Sequence, residues 1–256
     1  MHAMADEARA IALKYFRAPL DIEAKSGAEF DPVTIADREI EAALRRILRH
    51  ERPDDAIIGE EDSAQPGISG RSWIIDPIDG TRAFVAGLPS WCVLIALCTE
   101  DDAKLGLIDQ PFTQERFLGH VGEQCVWMQR EQTRLLSTNA GVETLETALI
   151  ATTDPGLFSG AESEAFSQLA SKARIRRYGL DAYAYGALAL GGIDLVVESG
   201  LKTWDVAALI PVVKAAGGEI SNWSGGSCLQ GGQVVAAANP TLHAKALAVL
   251  SAAAER

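Results

Sequence analysis

Basic charge is in short supply in this sequence: 23 Lys and Arg stand against 35 Asp and Glu, for a net charge of −12. That excess of acid argues against nucleic acid or an anionic membrane as the main partner. A phosphorylated ligand stays open, because metal ions supply positive charge locally. Cysteine is scarce too. Cys92, Cys98, Cys125 and Cys228 form no CxxC pair and no zinc spacing, so buried thiols in a reducing compartment are expected. His2, His50, His120 and His243 fall in no motif. No apolar run reaches the ~20 residues of a membrane-spanning helix. Met1 to Arg9 carries three charged side chains and no signal-peptide core, so a soluble, cytoplasmic protein is expected. Repeats, low-complexity tracts and long linkers are absent as well. What is present is apolar mass, 48% of 256 residues, enough for a large core in one domain or two intimate halves.

The most informative stretch is Trp73-Ile74-Ile75-Asp76-Pro77-Ile78-Asp79-Gly80-Thr81-Arg82-Ala83-Phe84. Trp73 to Ile75 predicts a buried strand that ends on the Asp76 carboxylate. Pro77 has no N–H to donate, so sheet pairing is expected to stop there. Gly80-Thr81 then opens a short helix through Phe84, closed by Gly87 and Pro89. Two carboxylates, a glycine and a hydroxyl gather where amide N–H groups point outward, which suits hard cations and a phosphate together. A solvated acidic turn is the competing reading, since Asp, Pro and Gly all favour turns. An EF-hand loop from Asp76 is excluded by Ile78 and Gly87 at its third and twelfth positions. The paired aspartates of a haloacid-dehalogenase nucleophile are excluded because Asp76 and Asp79 stand three apart.

Elsewhere the periodicity is regular. Ala8, Ile11, Ala12, Tyr15 and Phe16 share one face of an N-terminal helix. Thr34 with Asp37 has the pattern of a capping box before a second helix, whose apolar face is Ala36, Ile40, Ala43, Leu44 and Ile47. Asp37 reads either as a capping carboxylate or as part of a site. Ile57-Ile58-Gly59 runs into Glu60-Glu61-Asp62, either an exposed acidic turn or a second metal-binding turn. The segments 91–98, 105–109, 116–121 and 124–129 predict antiparallel strands. Beyond Leu135, strands at 149–152, 174–176, 193–198, 219–221 and 234–238 alternate with helices at 162–172, 181–190 and 242–250. Lys202-Thr203-Trp204-Asp205 opens a further helix expected to run to Gly217-Gly218 with a kink at Pro211. Asp205 is either ordinary capping or a carboxylate aimed into a cleft.

Taken together, Glu60, Asp76, Asp79, Thr81 and Asp205 resemble the inositol monophosphatase superfamily of magnesium-dependent, lithium-sensitive phosphatases. The resemblance covers nearly the whole chain: Pro32-Val33-Thr34-Ile35-Ala36-Asp37, Gly59-Glu60-Glu61, Asp76 to Thr81, and Trp204-Asp205-Val206-Ala207-Ala208 followed by Ala216-Gly217-Gly218. The finer match is to the histidinol-phosphate phosphatase branch, through Arg82-Ala83-Phe84, Gly87-Leu88-Pro89, Trp91, Leu94 to Leu97, Ile108-Asp109-Gln110-Pro111, Glu115-Arg116, Gly119 and Ala207 to Pro211. Leu180 departs from it, standing where that branch usually has a second glycine before Asp181.

The resemblance implies a layered α+β fold, an α/β/α/β/α sandwich, usually dimeric. Residues 1–135 would form an α+β half with the antiparallel sheet and most metal ligands. Residues 136–256 would form an α/β half with Asp205 and the substrate side, the two making one catalytic unit. It implies hydrolysis of a small phosphorylated metabolite with two or three Mg²⁺ ions, by direct water attack and without a covalent phosphoenzyme. Glu60, Asp76, Asp79, Asp205 and the Ile78 carbonyl would hold metal. Thr81, bonded to Asp37, would orient the water, with Glu60 also catalytic. The Gly80 and Thr81 amides would hold phosphate. Asp79, Asp181 and Glu198 would face the substrate, and Lys25 resembles a basic residue near the family's metal loop. L-histidinol phosphate, in histidine biosynthesis, is the substrate implied. An inositol-1-phosphatase or broader sugar or nucleotide phosphatase is the alternative, and a non-catalytic metal-binding relative a remote one.

Overall fold

The computed structural model describes residues 1–19, 23–24, 32–100 and 102–255. Helix α1 (His2–Tyr15) is followed by two short antiparallel strands, β1 (Glu23–Ala24) and β2 (Pro32–Val33), and by α2 (Ile35–Glu51). The capping box forms as expected. Thr34 Oγ1 accepts from Ala36 N at 3.1 Å, and Asp37 Oδ2 accepts the Thr34 N–H at 2.8 Å. Lys25 lies outside the described residues.

β3 (Ala56–Gly59) runs parallel to β4 (Arg71–Asp79), which leads into α3 (Thr81–Val85). β5 (Cys92–Thr99), β6 (Asp102–Gln110), β7 (Glu115–His120), β8 (Val126–Gln129) and β9 (Gln132–Leu135) add antiparallel to β4, giving a seven-stranded sheet in sequence order. Four of these strands stand where the apolar runs predict. β9 was not foreseen, because all four of its residues are exposed and it lacks an apolar alternation.

The rest of the chain contains β10 (Leu149–Thr152), α4 (Gly160–Lys172), β11 (Ile175–Tyr178), α5 (Tyr183–Ala189), β12 (Leu195–Leu201), α6 (Thr203–Val206), α7 (Leu209–Ala215), β13 (Glu219–Asn222), β14 (Gly232–Ala237) and α8 (Pro240–Leu250). Its five strands order as β11-β10-β12-β14-β13, parallel around β10 and antiparallel around β14.

Side-chain alternation assembles the layers, because successive strand residues face opposite sides. Trp73, Ile75, Val93, Ile95 and Leu107 pack under α1 and α2. Their neighbours Ile74, Leu94, Ala96 and Ile108 face a central layer that includes Tyr185 and Leu188 of α5 and Val212 and Val213 of α7. From the other sheet, Ala151, Val196, Val234 and Ala236 face that same layer. Ile150, Leu195, Val197, Val235 and Ala237 pack outward against α4 and α8. The result is the expected α/β/α/β/α sandwich. Gly106 and Gly119 let α7 lie directly on the seven-stranded sheet. A Cβ on either would come within 2.0 Å of Ala208 O or 2.3 Å of Pro211 O.

Two expectations fail, both at proline. Pairing of β4 continues past Pro77 to Asp79, with a register shift between Asp76↔Leu94 and Asp79↔Cys92. Two residues, Pro77 and Ile78, oppose the single Val93, so the proline sits in a bulge where no ladder N–H is required. The helix from Thr203 does not kink at Pro211 but breaks earlier, into α6 and α7. Pro211 cannot donate to the carbonyl of Ala207, so the ladder is interrupted there, and the proline falls in the first turn of α7.

Candidate active site

The bulge shapes the site. On a regular strand, residues three apart face opposite sides. The extra residue resets that alternation, so Asp76 and Asp79 oppose Leu94 and Cys92, both of which face the central layer. Both carboxylates therefore open toward the second sheet. Gly80 follows at φ 82°, a left-handed conformation that suits glycine, and a Cβ there would fall 2.9 Å from Asp181 Cγ. The first intrahelical bond of α3 runs from Phe84 N to Gly80 O at 3.0 Å, so the amides ahead of Phe84 have no acceptor within the helix.

Strand ends from both sheets meet around a cavity of about 350 Å³. Glu60, Asp76, Ile78, Asp79, Gly80, Thr81, Asp181, Glu198 and Asp205 all line it, so nearly every expected site residue is brought together. Carboxylate oxygens of Asp76, Asp79 and Asp205 lie within 4.8 Å of one another. Asp205 occupies the first turn of α6, where Oδ2 accepts the Lys202 N–H at 2.6 Å, so it both caps the helix and faces the cleft. Asp79 Oδ2 accepts the Ala182 N–H at 2.7 Å, tying the bulge to the turn before α5.

Asp37 does not line the cavity. Its Oδ1 is buried without a hydrogen-bond partner among the described residues, while Oδ2 accepts from the Thr34 amide and hydroxyl. The hydrogen bond expected between Thr81 and Asp37 is absent; Thr81 Oγ1 donates instead to the Ile78 carbonyl at 3.0 Å.

The electrostatics are those of a site short of positive charge. Burial, then the neighbouring Glu60, Asp79 and Asp205 charges, push Asp76 well above the usual carboxylate range. Burial and the charges of Asp181 and Asp205 do the same to Asp79. Burial lifts Asp37 to about 6 despite its bonds from Thr34. Burial likewise lifts Asp181 to about 6 against the opposing Arg82 guanidinium, and Glu198 to about 8. Glu198 is 3% exposed and accepts from Thr152 Oγ1, Thr153 N and Thr153 Oγ1. An all-oxygen donor set, mutually repelling, with an orphaned carboxylate oxygen close by, fits a hard divalent cation such as Mg²⁺.

Sequence reasoning missed Thr153, Leu157 and Tyr185 among the cavity residues. None stands in a charge cluster or a glycine-rich turn, so no local signal marks them. The residues that carry the finer resemblance mostly do structural work. Asp109, fully buried, accepts from Arg9 Nη2 at 2.6 Å and Arg116 Nε at 2.7 Å, fastening α1 to β6 and β7. Glu115 accepts from Trp127 Nε1 and from Tyr183 Oη, and Gln110 Nε2 donates to Trp91 O. Arg82 and Leu209 are exceptions, since both line the cavity.

The chain is similar to known proteins over nearly its whole length. The inositol monophosphatase family model matches residues 1–255. The chain is 38% identical over 257 residues to the "Bifunctional phosphatase IMPL2, chloroplastic" of Arabidopsis thaliana, covering 96% of this chain and 72% of that protein. It is 34% identical over 252 residues to the histidinol-phosphatase of Mycobacterium tuberculosis, covering 98% and 96%. Among solved structures, an inositol monophosphatase from Zymomonas mobilis superposes with a TM-score of 0.86 at 40% identity, covering 98% and 95%.

Proposed function

Because this chain belongs to the inositol monophosphatase family and is a phosphoric monoester hydrolase, we propose that it hydrolyses L-histidinol phosphate with Mg²⁺. The observation that carries the chemistry is the convergence of Asp76, Asp79 and Asp205 within 4.8 Å beside the start of α3. Glu60, Asp76, Asp79, Asp205 and the Ile78 carbonyl would hold two or three ions, which supply Lewis acidity and neutralise phosphate charge. The Gly80 and Thr81 amides, without helical acceptors, would bind phosphate oxygens. Thr81 Oγ1, which gives its own proton to the Ile78 carbonyl, would accept from and orient the attacking water, and Glu60, which lines the cavity, would take the water's proton. Hydrolysis by direct water attack leaves no covalent intermediate on the protein.

The substrate assignment is supported by two acids that line the cavity, Glu198 and Asp181. Burial has raised Glu198 and Asp181, and an entering cation would restore their charge, since hydrogen bonds to charged groups contribute roughly 1.5–3 kcal/mol. The amine and imidazole of histidinol phosphate meet that requirement. Inositol 1-phosphate is the second reading, favoured by the 40% identity to the Zymomonas enzyme, because carboxylates also accept from sugar hydroxyls. The reading includes a cytoplasmic homodimer. Phosphate release with Mg²⁺ tests it, with kcat/KM compared for L-histidinol phosphate and myo-inositol 1-phosphate. One such charged contact is about 10- to 150-fold. A preference of at least about tenfold for histidinol phosphate is expected; equal turnover, or preference for the inositol ester, refutes the substrate assignment and leaves the metal assignment standing.

A further inference from the structure

Glu41 and Arg45 sit one turn apart on the buried face of α2, among Ile40, Ala43, Leu44 and Leu48. Both side chains are only 2% exposed, and Arg45 Nε donates to Glu41 Oε1 at 2.8 Å. A buried ion pair is weak support for stability, because desolvation of both charges offsets their attraction and a well-packed apolar pair often does as well. Its other partners account for its presence. Glu41 Oε2 accepts the Glu61 N–H at 2.8 Å, Glu41 Oε1 accepts the Asp62 N–H at 3.0 Å, and Arg45 Nη2 donates to the Asp62 carbonyl at 2.8 Å. The ladder between β3 and β4 ends at Gly59↔Ile75, so the sheet does not hold the main chain that follows. Gly59 completes the arrangement: a Cβ there would lie 2.3 Å from Glu41 Oε1, so only glycine leaves room for the carboxylate beneath the turn. The turn so fixed carries Glu60 into the cavity.

We propose that Glu41, which does not line the cavity, is a positioning residue. It holds the turn from Gly59 to Asp62 so that Glu60 is placed for a divalent cation, and Arg45 orients it for that task. The inference rests on the metal assignment of the preceding section. Groups that orient a metal ligand typically change affinity 10- to 100-fold when removed. The loss should therefore appear in cation affinity, with kcat at saturating Mg²⁺ changed much less.

The test is Mn²⁺ binding to the metal-free full chain, followed by the electron paramagnetic resonance signal of the free ion. Wild type, Glu41→Gln and Glu41→Gln/Arg45→Met are compared, each checked for folding by circular dichroism. The double variant removes the arginine that the single one strands without its carboxylate. A 10- to 100-fold weaker affinity in both variants is expected, with the activating Mg²⁺ concentration rising in parallel. Wild-type affinity in Glu41→Gln overturns the proposal. So does loss in the single variant with recovery in the double, since the cause would then be the stranded arginine. If wild type itself binds no Mn²⁺, the metal assignment fails, and this inference with it.

Discussion

Asp205→Asn is the perturbation that separates a metal site from a decorative acidic cleft. Two unit charges 4.8 Å apart repel by about 3.5 kcal/mol at an effective dielectric of about 20. Asp205 has two such neighbours, but Asp76 and Asp79 are already held well above the usual carboxylate range, so part of their charge is lost to protonation. A net relief of about 1–2 kcal/mol in the metal-free protein is what remains of that Coulomb term. The amide keeps an oxygen to accept from Lys202 N, so the start of α6 is not sacrificed. At about 2–4 °C per kcal/mol for a chain near this size, Asp205→Asn should melt about 2–8 °C above wild type in EDTA. Wild type should then gain on adding Mg²⁺, by about 2.7 kcal/mol at a hundredfold excess over Kd, and the variant much less. Phosphatase activity of the variant should collapse. The pH dependence has a definite sign. Folded-state values raised above the unfolded ones mean the native protein binds more protons, so this contribution is complete below about pH 4. It is lost through about pH 6 for Asp37 and Asp181, and likewise as pH rises through the raised values of Asp76 and Asp79. Differential scanning calorimetry of both proteins with EDTA and with Mg²⁺, at pH 5 and 7.5, reads all of this. A variant less stable than wild type in EDTA, or a wild type indifferent to Mg²⁺, refutes the reasoning.

Gly106→Ala tests how the helix layer reaches the site. Its Cβ would fall 2.0 Å from Ala208 O, forcing α7 off the sheet at a cost of about 1–3 kcal/mol. Urea unfolding should show the loss and Mg²⁺ activation should need a higher concentration, because Asp205 precedes α7; an unchanged midpoint would mean the helix is not seated there. The four buried cysteines make a simpler case. Burial pushes Cys98, Cys125 and Cys228 up to about 12, so native protein at pH 8 should resist a thiol reagent that labels all four in denaturant. Rapid native labelling would contradict the packing of both central faces.

Local chemistry made much of this legible. The capping box at Thr34, the strand runs between Trp91 and Gln129, and the short helix after Gly80 follow from residues within a few positions of one another. β9 was invisible because an exposed edge strand has no buried face to leave an apolar alternation. Pro77 and Pro211 each predict a break in backbone pairing, and each stands where its missing N–H is not needed, in a bulge and in a first helical turn. Glu41 and Arg45 were legible only as two charges one turn apart on an apolar face, a pattern that does not say what they hold.

The sequence by itself determined which side chains could do the chemistry. Carboxylates at strand ends and a glycine-threonine helix start are written in order along the chain, and the family resemblance rests on them. Tertiary structure decided their convergence. Asp76 and Asp79 share a side because of a one-residue bulge, Asp205 reaches them because glycines let α7 lie on the sheet, and Glu198 and Asp181 arrive from the other sheet. It also sorted the signature of the finer branch, burying Asp109, Gln110, Glu115 and Arg116 in support of the fold and leaving Arg82 at the cavity. The physical reason is range. Caps, turns and alternation are set by neighbours in the chain, whereas burial, and with it the energetics of an unpaired charge, is set by whichever distant elements close over a residue.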